Sequence, residues 1–209
     1  MSAFTDKVVA QCLEEFKRFK NGKGRENKDP FSDFVGEYWK VGVKISNIDG
    51  KTTFQGAKGP FRPAWSSAFV SFIMRKAGAG DNFLYSEAHI HYVVQALRDA
   101  KQPNSTAKFL GRDPETHKPK VGDIINAGRA ESKGVRFNTV LKKYGPNPVP
   151  NGNFMSSHSD IVIEVADGKL FTIGGNVEVD TVGKKEWKLT KDGTLTKGAS
   201  LICVIECLL

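Results

Sequence analysis

Apolar residues in the N-terminal half recur at three- and four-residue spacing, which is the period of an amphipathic helix. One such segment runs from Phe4 to Lys20. A second begins at Pro63, a residue that suits a first helical turn, and stops at Gly78. A third runs from Ser86, which we expect to be its N-cap, to Lys101. The pattern therefore predicts three helices in this half of the chain.

Alternation of apolar and polar residues marks the predicted strands. The first is Tyr38 to Ile45, and a later pair forms a hairpin around Asp167-Gly168. The strands of that hairpin and of the C-terminal part are Ser159 to Val165, Leu170 to Ile173, Trp187 to Leu189 and Ala199 to Leu209. Residues 128–157 are rich in Gly, Pro, Asn and Lys, which is typical of a binding loop or lid.

Length and charge limit the kinds of protein and partner to consider. A chain of 209 residues suits one well-buried domain, so we expect residues 1–209 to form a single domain. Lysine and arginine total 31 against 23 aspartate and glutamate, a net charge of +8 that favours a polyanionic partner. The basic residues are scattered without an aromatic-interleaved stripe, so nucleic acid is not the favoured polyanion.

Localisation is judged from the N-terminus and from the longest apolar runs. No run reaches the about 20 residues that cross a bilayer, and we expect no membrane partner. Residues 1–20 carry charges throughout and lack the apolar centre of a secretory signal. We therefore expect synthesis in the cytoplasm, with secretion or delivery to the periplasm only by a non-classical route.

Residues that commonly bind metals or form disulfides are few. The cysteines Cys12, Cys203 and Cys207 follow no zinc or disulfide spacing and are expected to be buried thiols. His89 and His91 lie two apart on a predicted helix, hence on different faces, which is poor spacing for a shared metal. We predict neither a metal site nor a cofactor.

Two polar residues stand where a nucleophile and a base are useful. Ser66 falls in the opening turn of the second helix, where the dipole and the free N–H groups stabilise developing negative charge. A serine hydroxyl needs a base within hydrogen-bond reach, and His158, which shares a strand face with Asp160, is the candidate. The competing interpretations are a serine that only caps or packs and a histidine exposed at a strand end.

The residue that orients His158 depends on the turn of the predicted hairpin. A two-residue loop at Asp167-Gly168 pairs His158 with Val177, whose side chain cannot orient an imidazole. A three-residue loop shifts the register by one and puts Asn176 opposite His158, where its amide oxygen can accept from the ring. The candidates, in order of preference, are Asn176, Asp160 and Glu178.

Five short segments follow one another along the chain: Pro63 to Met74, Tyr85 to His89, Gly122-Asp123, His158 to Val162 and Ile173 to Val177. In this order they resemble the bacterial family known as domain of unknown function 2272, within the papain-like NlpC-type cell-wall hydrolase superfamily. The family-like core runs over about residues 60–182.

The resemblance implies a papain-like NlpC-type α+β fold, in which N-terminal helices pack on a central antiparallel β-sheet. It implies hydrolysis of amide bonds in cell-wall peptides by a nucleophile, a histidine and a polar residue. By position, Ser66 falls where the superfamily has cysteine, His158 on the base and Asn176 on the orienting residue. The expected pocket residues are Trp65, Tyr85, His89, Asp160 and Glu178.

We therefore expect a peptidoglycan-directed amidase or peptidase that works through Ser66, or through water activated by His158. Such a domain would serve as a phage lysis factor or an antibacterial effector, with an immunity or secretion protein as a further partner. The alternative is a catalytically silent module that binds a peptide or glycan on the same fold. A nucleic-acid-binding protein, which rests on charge alone, is the third interpretation.

Overall fold

The computed structural model describes residues 2–144, 155–178, 180–196 and 200–209. The helices in these ranges are α1 (Ala3–Arg18), α2 (Phe31–Glu37), α3 (Ser66–Ala77), α4 (His89–Asp99) and α5 (Phe137–Tyr144). The strands are β1 (Phe54–Gly56), β2 (Gly59–Phe61), β3 (Phe109–Arg112), β4 (Ile124–Gly128), β5 (Ser157–Ala166), β6 (Lys169–Val177), β7 (Thr181–Lys188) and β8 (Leu201–Cys207).

Six strands form an antiparallel sheet in the order β3-β8-β4-β5-β6-β7, and β1 pairs with β2 in a separate hairpin. The predicted α+β class, with helices on an antiparallel sheet, is therefore confirmed. None of the helices in the described ranges is both long enough and apolar enough to span a membrane.

The sheet has an apolar cluster on each face. Helices α1, α3 and α4 cover one face and share its main core with Ile161, Ile173 and Ile205. On the other face, Val162 and Trp187 belong to a smaller cluster. Helix α3 is the central helix, since every residue from Ser66 to Met74 is buried.

The strand predicted over Tyr38 to Ile45 is wrong, because α2 continues into a π-helical turn, Tyr38–Gly42. This turn sends the adjacent residues Tyr38 and Trp39 both into the core, whereas a strand would place them on opposite faces. A Cβ at Gly42 would lie 2.5 Å from the carbonyl oxygen of Ala68, so the turn packs directly on the α3 backbone.

Other local predictions fare better. Helix α3 ends at Gly78, which adopts the left-handed conformation of a C-cap, and the later hairpin turns at Asp167-Gly168 as expected. Helix α4, however, begins three residues after Ser86, whose hydroxyl accepts from the Ala88 N–H instead of capping the helix. The predicted lid over 128–157 falls partly outside the described residues, which include α5 from this segment.

Helix α3 approaches β6 closely enough to require glycine. A Cβ at Gly175 would lie 2.5 Å from the Trp65 ring and 2.6 Å from Phe69. We expect Gly175→Ala to lower the free energy of unfolding by about 1–3 kcal/mol, because neither ring can move without disturbing the core. Urea denaturation measures this loss. Gly134→Ala is the matched control, since a Cβ there meets no atom within 4 Å, and equal effects of the two changes would contradict the packing argument.

Candidate functional site

Ser66 is the first residue of α3, and its hydroxyl is held by a histidine from the next helix. The Oγ of Ser66 lies 2.6 Å from Nε2 of His89, the first residue of α4. Both side chains are buried, with 5% exposure for Ser66 and 6% for His89. The starts of two helices thus bring a hydroxyl and an imidazole into direct hydrogen bonding.

The other ring nitrogen of His89 is hydrogen-bonded to the Tyr92 phenol, three residues along α4. If Ser66 donates to Nε2, then Nδ1–H must donate to the Tyr92 oxygen. In that tautomer of His89, Nε2 can accept the proton of Ser66.

The environment keeps His89 uncharged. Burial lowers the pKa of His89 well below its usual value, and the charges of His158 and Arg129 lower it further. Its place at a helix N-terminus acts in the same direction, since the dipole disfavours a cation there. Burial also raises the pKa of Tyr92, so that the phenol stays protonated.

A second histidine, His158, lies beside His89 with its ring centroid 5.6 Å away. Its Nε2 lies 2.8 Å from Oδ1 of Asp160, and both side chains are buried on β5. Burial opposes the ionisation of Asp160, but the charge and hydrogen bond of His158, together with the charges of Lys185 and Arg129, outweigh it and lower the pKa of this carboxyl group. Nδ1 of His158 is buried and has no hydrogen-bond partner among the described residues.

A bulge, not a longer loop, sets the register at His158. The hairpin has the two-residue turn Asp167-Gly168, but a shift between Val162 and Glu164 moves the pairing by one, and the ladder ends at Ile161 and Ile173. Because β5 and β6 do not pair beyond that point, Asn176 does not meet the His158 ring.

The prediction that Asn176 orients His158 is therefore corrected, and Asp160 is the residue that holds this ring. Asn176 adopts a left-handed backbone conformation and donates its amide to Glu26 over 3.1 Å. The space for the His158–Asp160 pair comes from Gly174, where a Cβ would lie 1.9 Å from Oδ1 of Asp160.

The buried carboxylate of Glu26, which the sequence analysis did not identify, connects three segments around the start of α3. It accepts hydrogen bonds from Arg62, from the Trp65 indole N–H and from Asn176. Arg62 also contacts the more exposed Asp180 at 3.3 Å. Glu26 stands alone in a polar loop of the sequence, so no pattern marked it.

The remaining predicted pocket residues lie elsewhere. Trp65 is buried in the aromatic core between Phe19 and Tyr38. Tyr85 packs on Arg75, which is nine residues along α3 from Ser66 and hence about 13 Å away along the helix axis. Glu178 is exposed in the turn after β6. Of the predicted residues, the structure brings together Ser66 with His89 and His158 with Asp160.

A family model with the description "Uncharacterized protein conserved in bacteria (DUF2272)" matches residues 27–205. The chain belongs to this family. Neither the curated proteins nor the solved structures give a match. The match extends beyond residues 60–182 at both ends. It begins at residue 27, directly after Glu26, and it ends at residue 205, within β8.

The DUF2272 chain offers no evident metal site in the described ranges, where no group of three or more His, Cys, Asp or Glu residues is close enough to hold an ion.

We expect Glu26→Gln to destabilise the DUF2272 fold strongly. An amide offers one acceptor oxygen to three donors, so a buried donor such as the Trp65 indole N–H is left without its acceptor, at a cost of about 1–3 kcal/mol. Asp180→Asn removes the exposed partner of the same arginine and should cost no more than about 1 kcal/mol. Urea unfolding measures the free energy of unfolding of both variants. Similar losses in the two would show that buried Glu26 stabilises the fold no more than the exposed Asp180 does.

Burial of neutral His89 predicts a loss of stability in acid. The unfolded chain protonates His89 near its usual pKa of about 6.5, whereas the folded protein keeps it neutral to a much lower pH. Folding stability should therefore fall as the pH drops below about 6.5, by up to about 1.4 kcal/mol per pH unit. Urea unfolding between about pH 7 and pH 5 should show a smaller slope in His89→Gln, and an unchanged slope would refute this assignment.

Proposed function

We propose that this protein is a hydrolase of amide bonds in cell-wall peptides, with Ser66 as the nucleophile and His89 as the base. The observation that carries the proposal is the 2.6 Å contact between Ser66 Oγ and His89 Nε2 at the first residue of α3. A hydroxyl at a helix start, paired with a neutral imidazole, is an arrangement suited to acyl transfer.

In the proposed reaction, Ser66 transfers its proton to Nε2 of His89 as Oγ attacks the carbonyl carbon. Backbone N–H groups of the first turn of α3, which have no partner within the helix, would stabilise the oxyanion. His89 then returns the proton to the leaving amine as the amide bond breaks. Water hydrolyses the acyl-enzyme by the same route in reverse, with Tyr92 keeping the His89 ring in place.

Three observations support a papain-like NlpC-type hydrolase as the class. The nucleophile begins a helix that packs on an antiparallel sheet, and a histidine lies near the start of β5. The family match includes all the segments that resemble the superfamily. The net charge of +8 suits an anionic wall polymer, which would place the activity outside the cytoplasm, as in a lysis factor or a delivered antibacterial effector.

A silent binding module is the second candidate, and it is favoured by the burial of the site. Ser66 and His89 are only 5% and 6% exposed, so a substrate carbonyl has little direct access to the hydroxyl. The lowered pKa of His89 also makes this ring a weak base. A protein that only recognises a peptide or glycan would need neither access nor basicity at this position.

Mass spectrometry of digested peptidoglycan tests the proposal. We expect new muropeptides from the natural sequence and a loss of about a thousandfold in rate for Ser66→Ala and for His89→Gln, since nucleophile and base act as a unit. Tyr92→Phe should lower the rate less, by about tenfold, because it removes only the hydrogen bond that orients the His89 ring. Ser105→Ala, the same change at an exposed loop residue, is the control.

Two outcomes would contradict attack by Ser66. Products lost in His158→Gln but kept in Ser66→Ala would mean that the His158–Asp160 pair activates water. No products from any form, with binding to peptidoglycan retained, would leave the binding module as the function.

A further inference from the structure

A pocket of about 440 Å³ is lined by residues of the β1–β2 hairpin, of the segment before α3 and of the turn after β6. Phe61 belongs to β2, Arg62 and Ala64 lie between β2 and α3, and Asn176 and Asp180 flank the end of β6. The volume is within the range of small-ligand sites. The pocket therefore has room for a ligand of that size.

The hairpin beside this pocket presents two aromatic rings that the fold does not bury. Phe61, which lines the pocket, is 51% exposed, and its cross-strand partner Phe54 is 43% exposed. Directly opposed residues of an antiparallel pair share a face, and the two ring centroids lie 6.1 Å apart. Contiguous exposed apolar surface, as opposed to single scattered residues, is typical of a binding site.

The polar side chains of the pocket are held in place by the buried carboxylate of Glu26. Arg62 donates Nε–H to Glu26 and contacts Asp180 at 3.3 Å through Nη2, and the Asn176 amide donates to Glu26 over 3.1 Å. The side chains of Arg62 and Asp180 both reach solvent, and Nη1 of Arg62 and Oδ1 of Asp180 have no hydrogen-bond partner among the described residues. A donor and an acceptor are thus available, on side chains that are already fixed before a ligand binds.

The charges of the pocket favour a neutral ligand. Two carboxylates, Glu26 and Asp180, line it together with one guanidinium, Arg62, which forms an ion pair with both. An anion would be repelled by the two carboxylates, and an ammonium ion would lie beside Arg62, whose charge already offsets that of Asp180. A hydroxyl group both donates and accepts, so it can pair with Arg62 and Asp180 without adding a charge.

We propose that this pocket binds a sugar ring of the cell-wall glycan strand. A pyranose ring has an apolar C–H face, which would stack on the exposed ring of Phe61. The hydroxyl groups at its edge would accept from Nη1 of Arg62 and donate to Oδ1 of Asp180. A neutral ring with one apolar face and a hydroxylated edge matches the aromatic surface, the paired charges and the free donor and acceptor together.

Two chain segments connect the pocket to the proposed catalytic groups. Ala64 lines the pocket two residues before Ser66. Asn176 lines it two residues after Gly174, where a Cβ would lie 3.1 Å from Nε2 of His158. Since Cα atoms two residues apart are separated by at most about 7 Å, a sugar bound here would lie close to Ser66. The subsite deepens the proposed function and rests on it: the cleaved amide would belong to a peptide that is still attached to its glycan.

Binding can be measured without hydrolysis by using the Ser66→Ala protein with chitotriose, a neutral chain of N-acetylglucosamine units. We expect calorimetry to detect binding in the millimolar range or tighter. The affinity should be the same from about 0.05 to 0.5 M salt, because the ligand carries no charge. Ethylammonium and acetate, which are probes for a cation and an anion, should bind at least about tenfold more weakly.

Variants of the aromatic ring locate the site. Phe61→Ala should weaken chitotriose binding by about tenfold or more, whereas Phe61→Tyr should keep it, because the ring face remains. Leu84→Ala is the matched control, since it also removes an exposed apolar side chain but lies outside the pocket, and affinity should not change. Equal losses in Phe61→Ala and Leu84→Ala, or no loss in either, would overturn the assignment of the pocket.

The outcomes separate this inference from hydrolysis. Absence of chitotriose binding at millimolar concentration, or tighter binding of ethylammonium or acetate, would overturn the sugar subsite even if muropeptide products appear. Chitotriose binding that depends on the Phe61 ring, with no products from the natural sequence, would support the subsite and refute the hydrolase.

Discussion

The buried carboxylate of Glu26 is the interaction on which the geometry of the site depends. It accepts hydrogen bonds from Arg62, Trp65 and Asn176, which belong to the segment before α3, the N-cap of α3 and the end of β6. A single charged group thereby fixes where α3 begins relative to the sheet. Ser66 directly follows the N-cap residue Trp65, so its position is fixed as well. Carboxylates are seldom buried unless they are fully paired, and here the pairing holds α3, and with it Ser66, in place.

The two histidines of the site differ in the hydrogen-bond partner that holds each ring. His89 is supported by the neutral Tyr92 phenol, and His158 by the carboxylate of Asp160. Since the rings are only 5.6 Å apart in a buried setting, a charge on either one disfavours a charge on the other. The Asp160 carboxylate holds the His158 ring, whereas burial and the neighbouring His158 and Arg129 lower the pKa of His89, which remains the neutral acceptor beside Ser66.

The sequence predicted the features that are encoded locally. Helix α3, its glycine cap and the Asp167-Gly168 turn each have short-range signals, and the structure has all three. The strand over Tyr38 to Ile45 failed because a π-helical turn can bury adjacent residues that alternation assigns to opposite faces. The register at His158 required a bulge that turn length does not reveal. Glu26 and its partners are 36 to 150 residues apart, so only tertiary structure could identify them. The pairing of His89 with Tyr92, in contrast, has the i, i+3 helical spacing that the sequence does show.

The electrostatics of the site fit the proposal that a serine, and not a cysteine, is the nucleophile. A cysteine–histidine pair is active as a thiolate and an imidazolium, and it therefore needs surroundings that stabilise separated charges. Around His89 the surroundings do the opposite, because burial, the neighbouring His158 and Arg129 all disfavour its cation. A serine–histidine pair avoids this cost, since the hydroxyl and the imidazole are both neutral until the substrate is attacked and charge forms only in the transition state. On this argument, Ser66→Cys would yield a protonated, unreactive thiol, because burial that depresses the pKa of His89 would raise that of the thiol beside it.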